Sequence, residues 1–117
     1  MTPSERDPAF LWDMLTYARQ ALELVDGLTL ENYLADRVRQ LALERAVEVI
    51  GEAARKISPE FQAAHPEIPW RPIIAQRHVL AHDYGEIDQE KIWRVATVHI
   101  PGVIAQLEPL IPPLPPT

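Results

Sequence analysis

Residues 77 to 84 read Arg-His-Val-Leu-Ala-His-Asp-Tyr, placing a permanent cation, two titratable rings and a phenol within eight positions. The guanidinium of Arg77 offers five donors in a planar fork that matches phosphate oxygens. Histidine exchanges protons near neutrality, with a reference pKa of about 6.5. His82 falls toward the carboxyl end of a helical pattern, where the macrodipole favours the protonated ring. It is therefore suited to both taking up a proton and handing one to a leaving oxygen. Ile73, Ile74, Leu80 and Ala81 form one apolar stripe at about 100° per residue, and Arg77 lies in its middle. Arginine does not shed its charge, and burying it unpaired costs several kcal/mol, so Arg77 needs a buried acid or an anionic ligand. Tyr84 follows seven residues later on nearly the same face.

The elements that must carry these groups are helical. Asp7-Pro8 predicts a helix start, with an N-cap acceptor followed by proline at the first helical position. Leu11, Met14, Leu15, Ala18, Ala21, Leu22 and Val25 repeat at three- and four-residue spacing up to Gly27, which can end the helix in the left-handed conformation. A second long pattern follows Thr29 through Leu34, Val38, Leu41, Ala42, Val49, Ile50, Ala53 and Ile57, with a break near Ala35-Asp36. Ser58-Pro59 opens a short turn of helix that His65-Pro66 closes. The helix bearing the cluster is expected from about Pro69–Pro72 to His82. Asp88 caps the last helix, whose apolar positions are Ile92, Trp93, Ala96, Ile100, Val103, Ile104 and Leu107. Pro101 lies inside it and predicts a kink or break. Residues 109–117 hold five prolines and are expected to be an extended tail. With no strand-period segment in competition, the expected fold is all-α: an antiparallel four-helix bundle over residues 1–108, with a short extra helix and a proline-rich tail over 109–117.

Length and composition narrow the possibilities. A chain of 117 residues is expected to form one domain. It has no cysteine, which excludes disulfides, thiolate metal sites and cysteine nucleophiles. No apolar run approaches the roughly 20 residues that span a bilayer, so a soluble cytoplasmic protein is expected. The net charge of −6 argues against broad nucleic-acid binding but leaves room for a small local site near Arg71 and Arg77.

Arg77, four residues, then His82, Asp83 and Tyr84 resembles the R-x4-H-x-Y signature of HepT-like proteins in the HEPN superfamily. The stretches Glu44–Lys56 and His65–Trp70 resemble family segments in the same order. This chain has His78 where many members have Asn. The resemblance implies an all-α HEPN-like fold and a homodimer whose signature helices meet near the two-fold axis. It further implies the metal-independent endoribonuclease toxin of a HEPN/MNT toxin–antitoxin pair, with no cofactor. In that chemistry a base removes the ribose 2′-hydroxyl proton, the oxygen attacks phosphorus, and an acid protonates the departing 5′-oxygen. Arg77 and His82 lie about 140° apart on an ideal helix, so a composite site across a dimer is the expectation. There the His82 residues act as base and acid, the Arg77 residues steady the phosphorane charge, and His78 supports them. The resemblance makes Tyr84 the acceptor of AMP from a minimal nucleotidyltransferase antitoxin. The alternative is a non-catalytic helical subunit that presents a substrate or nucleotide to that partner.

Plainer roles compete for the same residues. Arg77 can pair with Glu44, Glu48 or Glu52, an acidic row at four-residue spacing that otherwise repels itself, and Glu52 can orient Arg77. His78 and His82 have metal-ligand spacing but lack an evident third ligand, so no metal is expected. His65 is assigned to a turn and His99 to the core. Trp12, Trp70 and Trp93 are assigned to the core or a dimer contact. The four glycines form no phosphate loop, and neither Ser4 nor Ser58 sits in a nucleophile elbow.

Overall fold

A computed structural model describes residues 3–80 and 88–111, and all of their side chains except those of 3, 4 and 77–80. These residues form α1 (Pro3–Val25), α2 (Leu30–Leu34), α3 (Arg37–Lys56), α4 (Pro59–Ala64), α5 (Trp70–Leu80), α6 (Gln89–Arg94) and α7 (Ile100–Leu107). A π-helical turn, Val95–His99, joins α6 to α7, and a 3-10 turn, Glu108–Leu110, follows. No strand occurs among the described residues, and the fold is all-α. The four main rods are α1, α3, α5 and the joined α6–α7.

Local signals account for most boundaries. Gly27 has φ +74°, the left-handed geometry that ends α1. Thr29 caps α2 in a reciprocal box with Asn32. The break at Ala35-Asp36 is present, because Asp36 leaves helical geometry and its carboxylate accepts from the Arg39 N–H at 3.1 Å to start α3. Ser58 caps α4 ahead of Pro59, and Asp88 caps α6.

The first helix departs from expectation at its start. It begins at Pro3, and Pro8 sits inside it. Asp7 is buried instead of capping, and its carboxylate accepts the Ser58 N–H at 2.8 Å and hydroxyl at 2.6 Å. At the opposite end, Arg39 donates to the Leu24 carbonyl at 3.0 Å. The amino end of α1 thus meets the carboxyl end of α3, and the reverse, so the two helices are antiparallel.

The core gathers Leu11, Met14, Leu15, Ala18, Ala21 and Val25 of α1 against Leu43, Ala46, Val47, Ile50 and Ala54 of α3. Ile73 of α5 and Ile92, Val95, Ile100, Val103 and Leu107 of the last rod complete it. The apolar stripe expected on the long helix is corrected in its first half. Leu34, Val38 and Leu41 are exposed, Val38 at 77 %, and Ala42 is exposed too. The reason is phase: Leu41 lies two residues, about 160° around the helix, from the buried Leu43.

In the last rod the fault expected at Pro101 takes the form of a widened turn and not a break, while His99 and the tail depart from expectation. The missing N–H and bulky ring of Pro101 would disrupt a regular turn, and the turn before it widens so that the Ile100 N–H reaches the Val95 carbonyl five residues back. The extra residue shifts the helical phase, leaving Val98 59 % exposed and His99 exposed, not in the core. The tail is not extended from residue 109, since Glu108–Leu110 continue as a 3-10 turn and Leu110 and Ile111 pack on the core. Residues 112–117 lie outside the described residues.

The rotated stripe makes a direct comparison possible. Leu43→Ala should lower stability by about 2–5 kcal/mol through the cavity it leaves, whereas Leu41→Ala should change it by less than about 1 kcal/mol. Urea unfolding of the two variants against wild type measures both.

Candidate functional site

The signature begins on α5, so the placement of that helix comes first. Trp70 opens α5 and is 6 % exposed; its indole N–H donates to the His65 carbonyl at 2.9 Å. The Phe61 ring meets it edge-on with centroids 6.2 Å apart. One turn on, Ile73 is buried in the shared core. These contacts fix the start of the helix and, through its regular rise, the backbone at Arg77 and His78. The side chains of Arg77 and His78 lie outside the described ones, as do His82 and Tyr84 altogether.

The acidic row on α3 is described and is already partnered. Glu44 lies 3.5 Å from Arg37, Glu48 3.4 Å from Arg45, and Glu52 2.7 Å from Arg55. Three arginines of the same helix thus relieve the repulsion along it. Glu52 borders a depression shared with Phe10, Asp13, Arg45 and Lys56, on the side of α3 that faces α1.

Between α2, α3 and α6, a polar cluster escaped the sequence. Tyr33 of α2 is fully buried, and its hydroxyl donates to the Gln89 side-chain oxygen at 2.6 Å. The Gln89 amide nitrogen donates to Glu44 at 2.8 Å. Gln40, itself buried, donates to the Tyr33 and Leu34 carbonyls at 3.2 and 3.0 Å, satisfying the end of α2. Trp93 packs on Tyr33 with ring centroids 5.4 Å apart. Burial pushes the Tyr33 phenol well above its ordinary value, with Glu44 adding to the shift and Arg37 opposing it. The phenol therefore remains a donor throughout the physiological range. Nothing in the local pattern marks this cluster, because Tyr33 and Gln89 are 56 positions apart.

Beside α5, Gln76, His99 and Gln106 rim a groove of about 510 Å³ floored by Ile50, Ile73 and Val103. His65 belongs to the turn that ends α4, with Nδ1 3.2 Å from Glu67 and its ring on Phe61. Among the described residues no group of three or more His, Asp or Glu side chains has a metal-binding arrangement. No helix among them is long and apolar enough to cross a membrane.

A family model described as ribonuclease HepT-like matches residues 14–110, which takes in every helix from within α1 to the 3-10 turn. The chain belongs to the HepT-like ribonuclease family. A HepT-like relative from Thermococcus cleftensis, named "Probable ribonuclease HepT", is 36% identical over 102 residues, covering 84% of this chain and 93% of that one. A Methanocaldococcus jannaschii relative, also named as an RNase, is 31% identical over 106 residues, covering 90% and 97% of the two chains. Another, from Caldanaerobacter subterraneus and again named as an RNase, is 29% identical over 102 residues, covering 87% and 91%. No solved structure matches the chain. The match extends over the bundle as a whole, so this HepT-like protein is an RNase of the HEPN type.

The buried phenol gives a pH test. Because the folded protein holds the Tyr33 proton more tightly than the unfolded chain, its contribution is complete below about pH 10 and is lost as pH climbs further. Urea midpoints recorded from about pH 9 to about pH 11.5 should fall in wild type and fall less steeply in Tyr33→Phe.

Proposed function

We propose that this RNA endonuclease is the toxin of a HEPN/MNT toxin–antitoxin pair and cleaves RNA without a metal, through Arg77 and His82 contributed by two copies of the chain. The observation that carries this reading is the family match over 14–110 together with Arg77, His82 and Tyr84 in signature spacing. One His82 ring removes the ribose 2′-hydroxyl proton, and the oxygen attacks the adjacent phosphorus. The other protonates the departing 5′-oxygen, leaving a cyclic phosphate on one fragment and a free hydroxyl on the other. The Arg77 forks bind the negative charge that grows on the phosphorane. His78, one position after Arg77, supports the substrate or a proton transfer, and Glu52 is retained as a candidate orienting acid.

Control of the activity falls to Tyr84 in this reading. Its phenol oxygen attacks the α-phosphorus of ATP in the site of a nucleotidyltransferase antitoxin, releasing pyrophosphate and leaving AMP on the tyrosine. An anionic adduct seven residues from Arg77 competes with RNA phosphate for the same guanidinium.

Incubation with labelled RNA in EDTA tests the first part. Wild type should cleave, and His82→Ala should lower the rate by about 100- to 10,000-fold, the usual worth of a proton-transfer group. A folded wild-type protein that leaves the RNA intact but binds its nucleotidyltransferase partner stably would instead support a non-catalytic presenting subunit. For the second part, mass spectrometry after incubation with the partner and ATP should find AMP on the Tyr84 peptide, and Tyr84→Phe should remain unmodified and uninhibited. An unmodified wild-type Tyr84 peptide would rule out that control.

A further inference from the structure

From Val95 to Leu107 the last rod carries no Asp, Glu, Lys or Arg. The core accounts for its inner face, through Val95, Ala96, Ile100, Val103, Ile104 and Leu107. Its outer face has no such cover. Val98, Pro101, Gly102 and Ala105 recur at three- and four-residue steps, and all are exposed, Val98 at 59 %. The solvent faces of the other long helices carry charge: Asp13, Arg19 and Glu23 on α1, and Arg45, Glu48 and Arg55 on α3. A rod that is uncharged outside as well as inside suits a surface that something else covers. Gly102 points the same way. Within α7 it has no positive φ, and a Cβ added there would meet nothing within 4 Å. Glycine weakens a helix relative to alanine. The chain's own packing gives no steric reason for it, whereas close approach of a second backbone does.

The charges that bracket this uncharged stretch identify the occupant. Arg94 stands before it and Glu108 after it, both exposed. Two copies of the rod laid antiparallel, about a two-fold axis between Pro101 and Gly102, set Pro101 opposite Gly102 and Val98 opposite Ala105. The larger side chain meets the smaller at each step. At the ends, Arg94 of each copy falls beside Glu108 of the other, so two opposite-charge pairs close the contact. Glu108 lies 3.4 Å from Arg19, but both side chains are about half exposed, which leaves the carboxylate open to a second cation. The chain carries a net −6 and repels its like, and an uncharged face lets two copies meet without opposing like charges. We infer that the outer face of the last rod is a two-fold contact between two copies of this chain, with its axis at Pro101-Gly102. The groove beside α5, which Val98, Gly102 and Gln106 also line, extends the contact past the rod. The exposed pair Val38 and Leu41 lacks this pattern, because a two-fold contact centred on Leu41 would set Arg37 against Arg45. The contact does not depend on the Arg77/His82 reading.

A chain without cysteine permits a direct test. Gly102→Cys, whose side chain has clear space in the single copy, should form an intermolecular disulfide on mild oxidation with copper–phenanthroline, because a residue beside the axis meets its own mate. Glu23→Cys, on the outer face of α1, should not. Sedimentation of the full chain gives a second readout. Arg94→Glu and Glu108→Arg should each weaken self-association by about 10-fold or more, since either change sets like charges together at both ends. Mixed in equal amounts, the two variants should associate as wild type does, because every end pair is opposite in sign again. A folded Gly102→Cys protein that stays uncrosslinked would overturn the inference, including the case of a wild-type dimer that meets through another face. Failure of the wild type to cleave RNA would bear on the catalytic reading alone.

Discussion

Helix α3 has to bury one face between α1 and α5, and everything else in the molecule is arranged around that burial. Leu43, Ala46, Val47, Ile50, Ala53, Ala54 and Ile57 recur at three- and four-residue steps and are all nearly inaccessible. Hydrophobic burial of this kind drives association but tolerates sliding. Polar contacts at the two ends set the register: Arg39 on the Leu24 carbonyl at one, and Asp7 on Ser58 at the other. A buried carboxylate is costly unless its oxygens are satisfied, and Asp7 has a donor on each oxygen. The antiparallel pair α1–α3 is the frame on which α5 and the last rod are mounted.

The face of α3 that escapes burial has a chemistry of its own. Its glutamates are neutralised within the helix by Arg37, Arg45 and Arg55. The pairing of Arg77 with this row involves a side chain outside the described ones. Glu44 differs from the other two in facing inward, with its side chain 17 % exposed, and it is the one that Gln89 reaches. The same acidic row thus performs surface solvation at Glu48 and internal attachment at Glu44, a division set by the angle each residue takes around the helix.

The distortion at Val95–His99 shows a local fault absorbed without breaking an element. Pro101 cannot donate, and the chain answers by widening the preceding turn. The hydroxyl of Thr97 donates to the Trp93 carbonyl at 2.9 Å within the same stretch. The last rod can then bury Ile92, Val95 and Ala96 before the turn and Ile100, Val103, Ile104 and Leu107 after it. Its cost is that Val98 and His99 turn outward to the groove beside α5.

The sequence by itself determined the helices, the break at Asp36, the caps at Ser58 and Asp88 and the left-handed Gly27, because each depends on neighbours within about four residues. It also determined the family, since the signature and its flanking segments are linear patterns. Tertiary structure alone decided the rest. Asp7 reads as an N-cap and is instead a buried acceptor for Ser58, 51 positions away. Val38 and Leu41 read as core and are exposed, because apolar spacing gives a helix a face but not the neighbour that will cover it. Tyr33, Glu44 and Gln89 carry no local signal at all; they meet because packing of α2, α3 and α6 brings three distant chain positions within hydrogen-bonding reach, and a sequence pattern holds no distances between elements.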